Sequence, residues 1–307
     1  MQDLKKDLRL ALVQLEPVLF DKSACLGNTL KKLAEAAENG AEFIVFPELS
    51  IPGYPFGMTF GFKIGSRSEA GRKDWKRYYD ASVVVPGPET DAIAKAAQKY
   101  QVYISIGISE RDAVTGTLYN TNLIFSPEGR LVSHHRKLKP TGAERLVWGD
   151  AHEKYFPMAD TPWGSAGCMI CWESYMPLAR EALYEHGVTL YISANTNDVP
   201  EWQHTIQHIA LEGRCFVINS DLFFTKHSYP SDLEAKEELA QLPEIVCRGG
   251  SCVIDPFGHY LTKPVWDKET IIYADLDMDQ VAASRMEFDP CGHYARPDVL
   301  KFEASKA

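Results

Sequence analysis

A chain of 307 residues, 45% apolar and 24% charged, has the size and balance of an ordinary globular protein with a sizeable core. Its net charge of −10 argues against nucleic acid or an anionic membrane surface as the main partner. Seven cysteines, an odd count without regular spacing, argue against a disulfide framework and for a reducing, cytoplasmic setting.

The first apolar run, 8–15, is interrupted by Arg9 and Gln14 and has no small-residue cleavage site, so it reads as a strand rather than a signal peptide. No stretch approaches the roughly 20 apolar residues that span a bilayer, so no membrane partner is expected. Leu26, Leu30, Leu33, Ala34 and Ala37 then fall at helical spacing, with Asp21 or Ser23 as cap and Asn39-Gly40 as the stop. The run 42–48 predicts a strand buried on both faces. Residues 50–66, rich in Pro, Gly and aromatics, predict a loop that walls a pocket. Helices over 68–81 and 90–100 follow, then strands over 102–109, 119–126 and 131–136, the last two joined by the turn Pro127-Glu128-Gly129.

Residues 137–155 show no period and predict a loop with a helical turn. Strands over 161–163 and 166–171, a helix over 173–186, a strand over 190–194, a helix over 201–213 and a strand over 215–220 come next. The polar stretch 225–243 predicts a mobile surface loop. Strands over 245–255, 259–263 and 270–277 and a helix over 278–286 complete the chain, with an extended tail from about 288. About a dozen strands and six helices are too many strands for one doubly wound sheet. The expected fold is α/β (α+β): two mixed sheets packed face to face with helices outside, in a single domain over 1–307.

Candidate chemistry lies at strand ends. Cys171 follows the small, apolar run Ala166–Ile170 at an abrupt turn into a helix, where a thiol meets solvent and substrate. Glu48 closes the run Phe43–Pro47, a costly place for a carboxylate without a hydrogen-bonding or functional role. Lys137 ends the 131–136 strand, and Glu144 follows seven residues on. A thiol needs a base, since its free pKa is near 8.5, and a glutamate at a neighbouring strand end can serve. Attack on a carbonyl or nitrile carbon pushes negative charge onto O or N, which a fixed ammonium stabilises. A second carboxylate can hold that ammonium and position water. Such a set works without a metal or an organic cofactor, so none is expected.

Three blocks now make a resemblance specific: Phe46-Pro47-Glu48; His135-Arg136-Lys137-Leu138 through Pro140-Thr141-Gly142-Ala143-Glu144-Arg145; and Cys171-Trp172-Glu173. They resemble the motifs of the nitrilase, or carbon–nitrogen hydrolase, superfamily. Tyr175–Arg180, Leu146–Gly149, His208–Val217 and the tail Gly292–Asp298 are similar to the true nitrilases within it. The resemblance runs from the first strand to about residue 300. It implies an αββα sandwich that pairs into a homodimer or higher homo-oligomer. It also implies Glu48 as general base, Lys137 as stabiliser of the intermediate, Glu144 in support of both, and Cys171 as nucleophile. The implied reaction converts an organic nitrile to its carboxylic acid and ammonia through thioimidate and thioester intermediates. Trp172 offers a backbone N–H as an anion donor and its ring as a pocket wall. By analogy with the family's loops, Tyr54, Trp148 and Asn195 join it as substrate-binding candidates.

The chain departs from that family at Ser193-Ala194-Asn195-Thr196, in place of a proline-containing segment, which bears on substrate preference. It ends at Ala307, short of the extension that helps many nitrilases form spirals, so dimers or short oligomers are expected. An amidase or N-carbamoyl hydrolase would use the same four residues on a planar amide, and Trp172 argues against that branch. A non-catalytic metal-binding or interaction protein is the more remote alternative. Cys168 and Cys171 form one isolated C-x-x-C pair, three apart and so expected on opposite strand faces. His204 and His208 lack the intervening Glu of a zinc helix. No metal site is expected.

Overall fold

The structure is a computed structural model that describes residues 4–152 and 156–303. Residues 153–155 of the predicted 137–155 loop and 304–307 of the tail lie outside the described residues. In chain order the elements are β1 (Asp7–Gln14), α1 (Lys22–Glu38), β2 (Phe43–Val45), α2 (Glu69–Ala81), α3 (Pro88–Tyr100), β3 (Tyr103–Arg111), β4 (Leu118–Phe125), β5 (Leu131–Arg136), β6 (Ala159–Thr161) and β7 (Gly164–Ile170). There follow α4 (Pro177–Glu185), β8 (Val188–Asn195), α5 (Trp202–Gly213), β9 (Phe216–Asp221), β10 (Phe223–Thr225), α6 (Lys236–Ala240), β11 (Ile245–Ile254), β12 (Tyr260–Trp266), β13 (Thr270–Asp277) and α7 (Asp279–Arg285).

Two mixed sheets result. The first runs β13-β1-β2-β3-β4-β5, parallel across β1, β2 and β3 and antiparallel elsewhere. The second runs β10-β11-β9-β8-β7-β6, with β12 paired to β11, and β7, β8 and β9 are parallel. Period-two alternation sorts the core into three layers. Leu8, Leu10, Leu12, Phe43 and Val45 of the first sheet meet Ile170, Leu190, Ile192, Phe216 and Ile218 of the second. Ala11, Val13, Ile44, Ile104 and Ile106 face the other way, onto Leu33 and Ala36 of α1 and Ile93 and Ala97 of α3. Met169, Tyr191 and Val217 cover the far side of the second sheet, under Leu183 of α4 and Ile206, Ile209 and Ala210 of α5. Helix, sheet, sheet and helix are therefore stacked in that order, the expected sandwich.

Three segments differ from expectation. The predicted helix over 173–186 is a 3₁₀ turn, Cys171–Tyr175, followed by α4, which begins only at Pro177. The residue before a proline is steered out of the helical region, and Met176 is extended, with ψ 103. The stretch 225–243 is docked rather than loose. Tyr229 and Leu233 are buried, and the Asp74 carboxylate of α2 accepts from the backbone N–H groups of Glu234 and Ala235. Finally, the tail after 288 is turned rather than extended: Tyr294 donates back to the Asp289 carbonyl, and Leu300 to that of Arg296.

Candidate active site

The chain leaves β2 through Phe46 and Pro47 and crosses β3 at Gly107, where a Cβ would come within 2.6 Å of the Glu48 Cα. Only glycine permits that approach. Glu48 is thereby sunk between the sheet ends, almost fully buried. Its Oε1 accepts from Lys137 Nζ at 3.0 Å and from Asn120 Nδ2 at 2.7 Å, while its Oε2 has no hydrogen-bond partner among the described residues. Lys137 follows β5, its backbone N–H donating to the Asn120 carbonyl of β4, which threads the side chain into the same buried volume. The ammonium donates on its other side to Glu144 Oε2 at 2.8 Å. Glu144 sits in the 3₁₀ turn Gly142–Leu146, its Oε2 also accepting from the Thr141 N–H and its Oε1 from the Tyr54 hydroxyl at 2.9 Å.

Cys171 comes from the second sheet. It stands one residue past β7 with φ 52, a left-handed conformation unusual for a residue with a Cβ. The turn is locked by Glu173, whose carboxylate accepts from the N–H groups of Ile170 and Leu138 and lies 2.9 Å from His135 Nε2. That single carboxylate ties the Cys171 turn to the chain segment that delivers Lys137. The positive φ takes Cys171 out of the strand's alternation, and its side chain borders the inter-sheet core along with Cys168. The opposite-faces expectation fails there because Cys171 lies beyond the strand.

The charges are coupled. Burial above all, then the nearby Glu144 charge, raises the Glu48 carboxyl above the ordinary 4.5, with Lys137 and Asn120 opposing. Burial, then Glu48, pushes the Cys171 thiol well above its usual range, and Lys137 pulls it down. Burial works against the Lys137 ammonium, but Glu48, Cys171 and Glu144 outweigh it and keep the group charged. Glu48, Lys137, Glu144 and Cys171 thus feel one another in one electrostatic unit, three of them linked by direct contacts.

The remaining candidates are placed differently. Tyr54 joins the unit through Glu144. Trp148 lies behind it in the helix-side core, its ring 5.9 Å from that of Tyr54 and its N–H on Ser109 Oγ. Trp172 is 50% exposed, its ring edge-on to Tyr175 at 5.5 Å. Asn195 ends β8 and is fully buried. The sequence pattern alone does not point to Asn120, which donates to Glu48, to Glu173, which braces the Cys171 turn, or to Asp221, a buried carboxyl that Cys171 senses electrostatically. Glu173 had one usable signal, its place in the Cys171-Trp172-Glu173 block; the other two depend on strand pairing. His208 pairs with Glu212 at 3.6 Å, and among the described residues no three His, Cys, Asp or Glu side chains converge to hold a metal ion.

The model of the carbon–nitrogen hydrolase family matches residues 9–286. An aliphatic nitrilase of Sinorhizobium fredii (strain HH103) is 44% identical over 294 residues, covering 95% of this chain and 94% of the relative. A bifunctional nitrilase/nitrile hydratase of Lupinus angustifolius is 42% identical over 297 residues, covering 95% and 84%. Among solved structures, Nit3 of Saccharomyces cerevisiae, a member of branch 10 of the nitrilase superfamily, superposes with a TM-score of 0.75 at 21% identity, covering 95% of this chain and 98% of that one. The last comparison speaks for the fold alone.

Proposed function

The chain belongs to the carbon–nitrogen hydrolase family, and from that premise we propose that it hydrolyses an organic nitrile to the carboxylic acid and ammonia, with Cys171 as nucleophile. The observation that carries the reading is the buried chain Tyr54–Glu144–Lys137–Glu48, set electrostatically against Cys171.

In this reading the Cys171 sulfur bonds to the nitrile carbon as Glu48 takes the thiol proton and relays it to the nitrile nitrogen, giving a thioimidate. A carboxylate whose proton affinity is raised by burial is the better acceptor for that proton. The open Oε2 is the atom free to receive it. Lys137, held charged by two carboxylates, stabilises the negative charge that develops on nitrogen and then on oxygen, assisted by the Trp172 N–H. Water adds to the thioimidate and ammonia leaves, so a thioester remains. A second water, deprotonated by Glu48, releases the acid and restores the thiol. Glu144 keeps the ammonium in place and orients water. The balance is one nitrile and two waters to one acid and one ammonia.

The chain is read as one domain, and the pairing of β13 with β1 supports this by closing the first sheet with strands from both ends of the chain. A homodimer or higher homo-oligomer is supported by apolar side chains left in solvent beside the nucleophile, Trp172, Tyr175, Met176 and Leu178. A reducing, cytoplasmic setting is supported by seven free cysteines, and no helix among the described residues is long and apolar enough to cross a membrane.

The test is a nitrile and its matching amide incubated separately, with ammonia measured. Ammonia from the nitrile, abolished by Cys171→Ala, is expected; ammonia from the amide alone overturns the nitrile reading in favour of an amidase.

A further inference from the structure

The end of the second sheet carries a second buried network that the reaction above does not use. In register, Ile170 of β7, Ala194 of β8 and Ser220 of β9 lie side by side, and Asn195 pairs with Asp221 one step further. Cys171, Asn195 and Asp221 therefore share one sheet edge. The Asp221 carboxyl is fully buried, and burial above all raises it well above the ordinary carboxylate range, with the Asn197 and Asn219 hydrogen bonds opposing.

Both Asp221 oxygens accept: Oδ1 from the Asn197 backbone N–H at 3.0 Å, and Oδ2 from Asn219 Nδ2 at 2.8 Å. Asn219 is saturated in turn. Its Nδ2 also donates to the Gly250 carbonyl, and its Oδ1 accepts from Trp202 Nε1 and from Asn195 Nδ2. The Asn195 amide is thereby fixed in one orientation, its Nδ2 committed to Asn219, Ser193 Oγ and the Ser193 carbonyl. Its Oδ1 is left over, buried with no partner among the described residues. The next two residues repeat the pattern, with Thr196 Oγ1 and Asn197 Nδ2 also buried and unpartnered. Glu48 Oε2 and Asn120 Oδ1 are in the same condition at the opposing sheet. Buried polar atoms are almost always hydrogen-bonded, so three consecutive orphans at the sheet end that carries Cys171 mark groups that a ligand can satisfy.

We propose that Asp221 is a positioning residue that sets the turn 195–197 as a polar wall beside Cys171, and that the preferred nitrile carries a neutral hydroxyl or carboxamide on its side chain. The inference rests on the nitrile reading and narrows it. The wall offers an acceptor (Asn195 Oδ1), a hydroxyl that does both (Thr196) and a donor (Asn197 Nδ2). Hydroxyls and carboxamides also donate and accept, so they match it. A carboxylate does not: it only accepts, so nothing on it answers the Asn195 Oδ1 acceptor, and the ammonium of Lys137 is already held by two carboxylates.

Asp221→Asn is the isosteric test, because an asparagine has one acceptor where two donors arrive and must turn an NH₂ toward either Asn197 or Asn219. Thr196→Val removes one wall hydroxyl at constant shape. The probes are 3-hydroxypropionitrile and butyronitrile, which differ by hydroxyl against methyl, scored by ammonia release. The unmodified protein is expected to favour the hydroxynitrile in kcat/KM by at least about tenfold, a site built for a hydroxyl being a poor host for its methyl analogue. Both variants are expected to bring that ratio toward one, chiefly by raising KM for the hydroxynitrile. A ratio near or below one in the unmodified protein overturns the polar wall. An unchanged ratio in folded Asp221→Asn overturns the positioning role, and should that variant fail to fold, an unchanged ratio in Thr196→Val overturns the wall. Ammonia from neither probe but from other nitriles overturns this inference alone. Ammonia from no nitrile at all overturns the nitrile reading beneath it.

Discussion

Two glutamates of the first sheet are equally buried and are held in opposite ways. Glu110, in β3, has both oxygens engaged. Its Oε1 accepts from Arg136 Nη2 at 2.6 Å, and its Oε2 accepts from Thr121 Oγ1 and Arg136 Nε and lies 2.8 Å from His134 Nε2. Burial works against its charge, but these partners prevail and bring its pKa down to about 2. Glu48 shares its one cation with Glu144 and keeps an oxygen open, and burial prevails there, raising it. The difference teaches that burial does not by itself assign a carboxylate its work. A saturated one holds structure; an unsaturated one of raised proton affinity has an atom and an affinity with which a proton can be exchanged.

The comparison breaks most visibly through substitution. Glu48→Gln and Cys171→Ala are each expected to lower ammonia release roughly a thousandfold or more, while Glu48→Gln leaves the urea midpoint near that of the unmodified protein. Glu110→Gln is expected to do the reverse. It loses about 2–3 kcal/mol of stability, because Arg136 keeps a buried charge with a weakened partner, and activity persists below the unfolding transition. An inactive but fully stable Glu110→Gln would erase the distinction.

Acid sharpens it. With a folded pKa of about 2 against an ordinary 4.5, Glu110 binds fewer protons in the folded than in the unfolded state between those values. Its stabilisation is therefore complete above 4.5 and lost as pH falls toward 2. The Glu48 shift has the opposite sign, so the acid limb of kcat/KM is expected above 4.5, and ammonia release falls while the protein is still folded. Parallel urea and rate profiles measure both, and a rate limb lying below 4.5 contradicts the raised Glu48. The smallest effect expected is Tyr54→Phe, which removes one hydrogen bond to Glu144 and lowers kcat about fivefold, the worth of roughly 1 kcal/mol.

Much of this was legible in the chain itself. Runs such as Phe43–Phe46 and the alternation of Leu8, Leu10 and Leu12 declare buried strands, and Glu48, closing such a run, announces itself by its cost; Lys137, in the charged stretch 134–139, gains weight only in combination with Glu48, Glu144 and Cys171. The rest depends on registers between distant strands. Asn120 meets Glu48 only because β4 sits beside β3, and Asp221 meets Asn195 only because β9 pairs with β8. Local pattern also misled where one residue overrode it. Pro177 moved a helix start by four residues, and Asp74 pinned a polar segment whose composition suggested mobility.

The positive φ of Cys171 has a consequence for how such a protein ages in evolution. An L-residue held in that conformation is strained, and glycine is not, so Cys171→Gly should gain up to about 1 kcal/mol, offset in part by the glycine's extra freedom when unfolded. Wherever a lineage stops needing turnover, drift at this codon runs downhill toward a sturdier, silent copy. The thiol persists only under continued selection for the reaction.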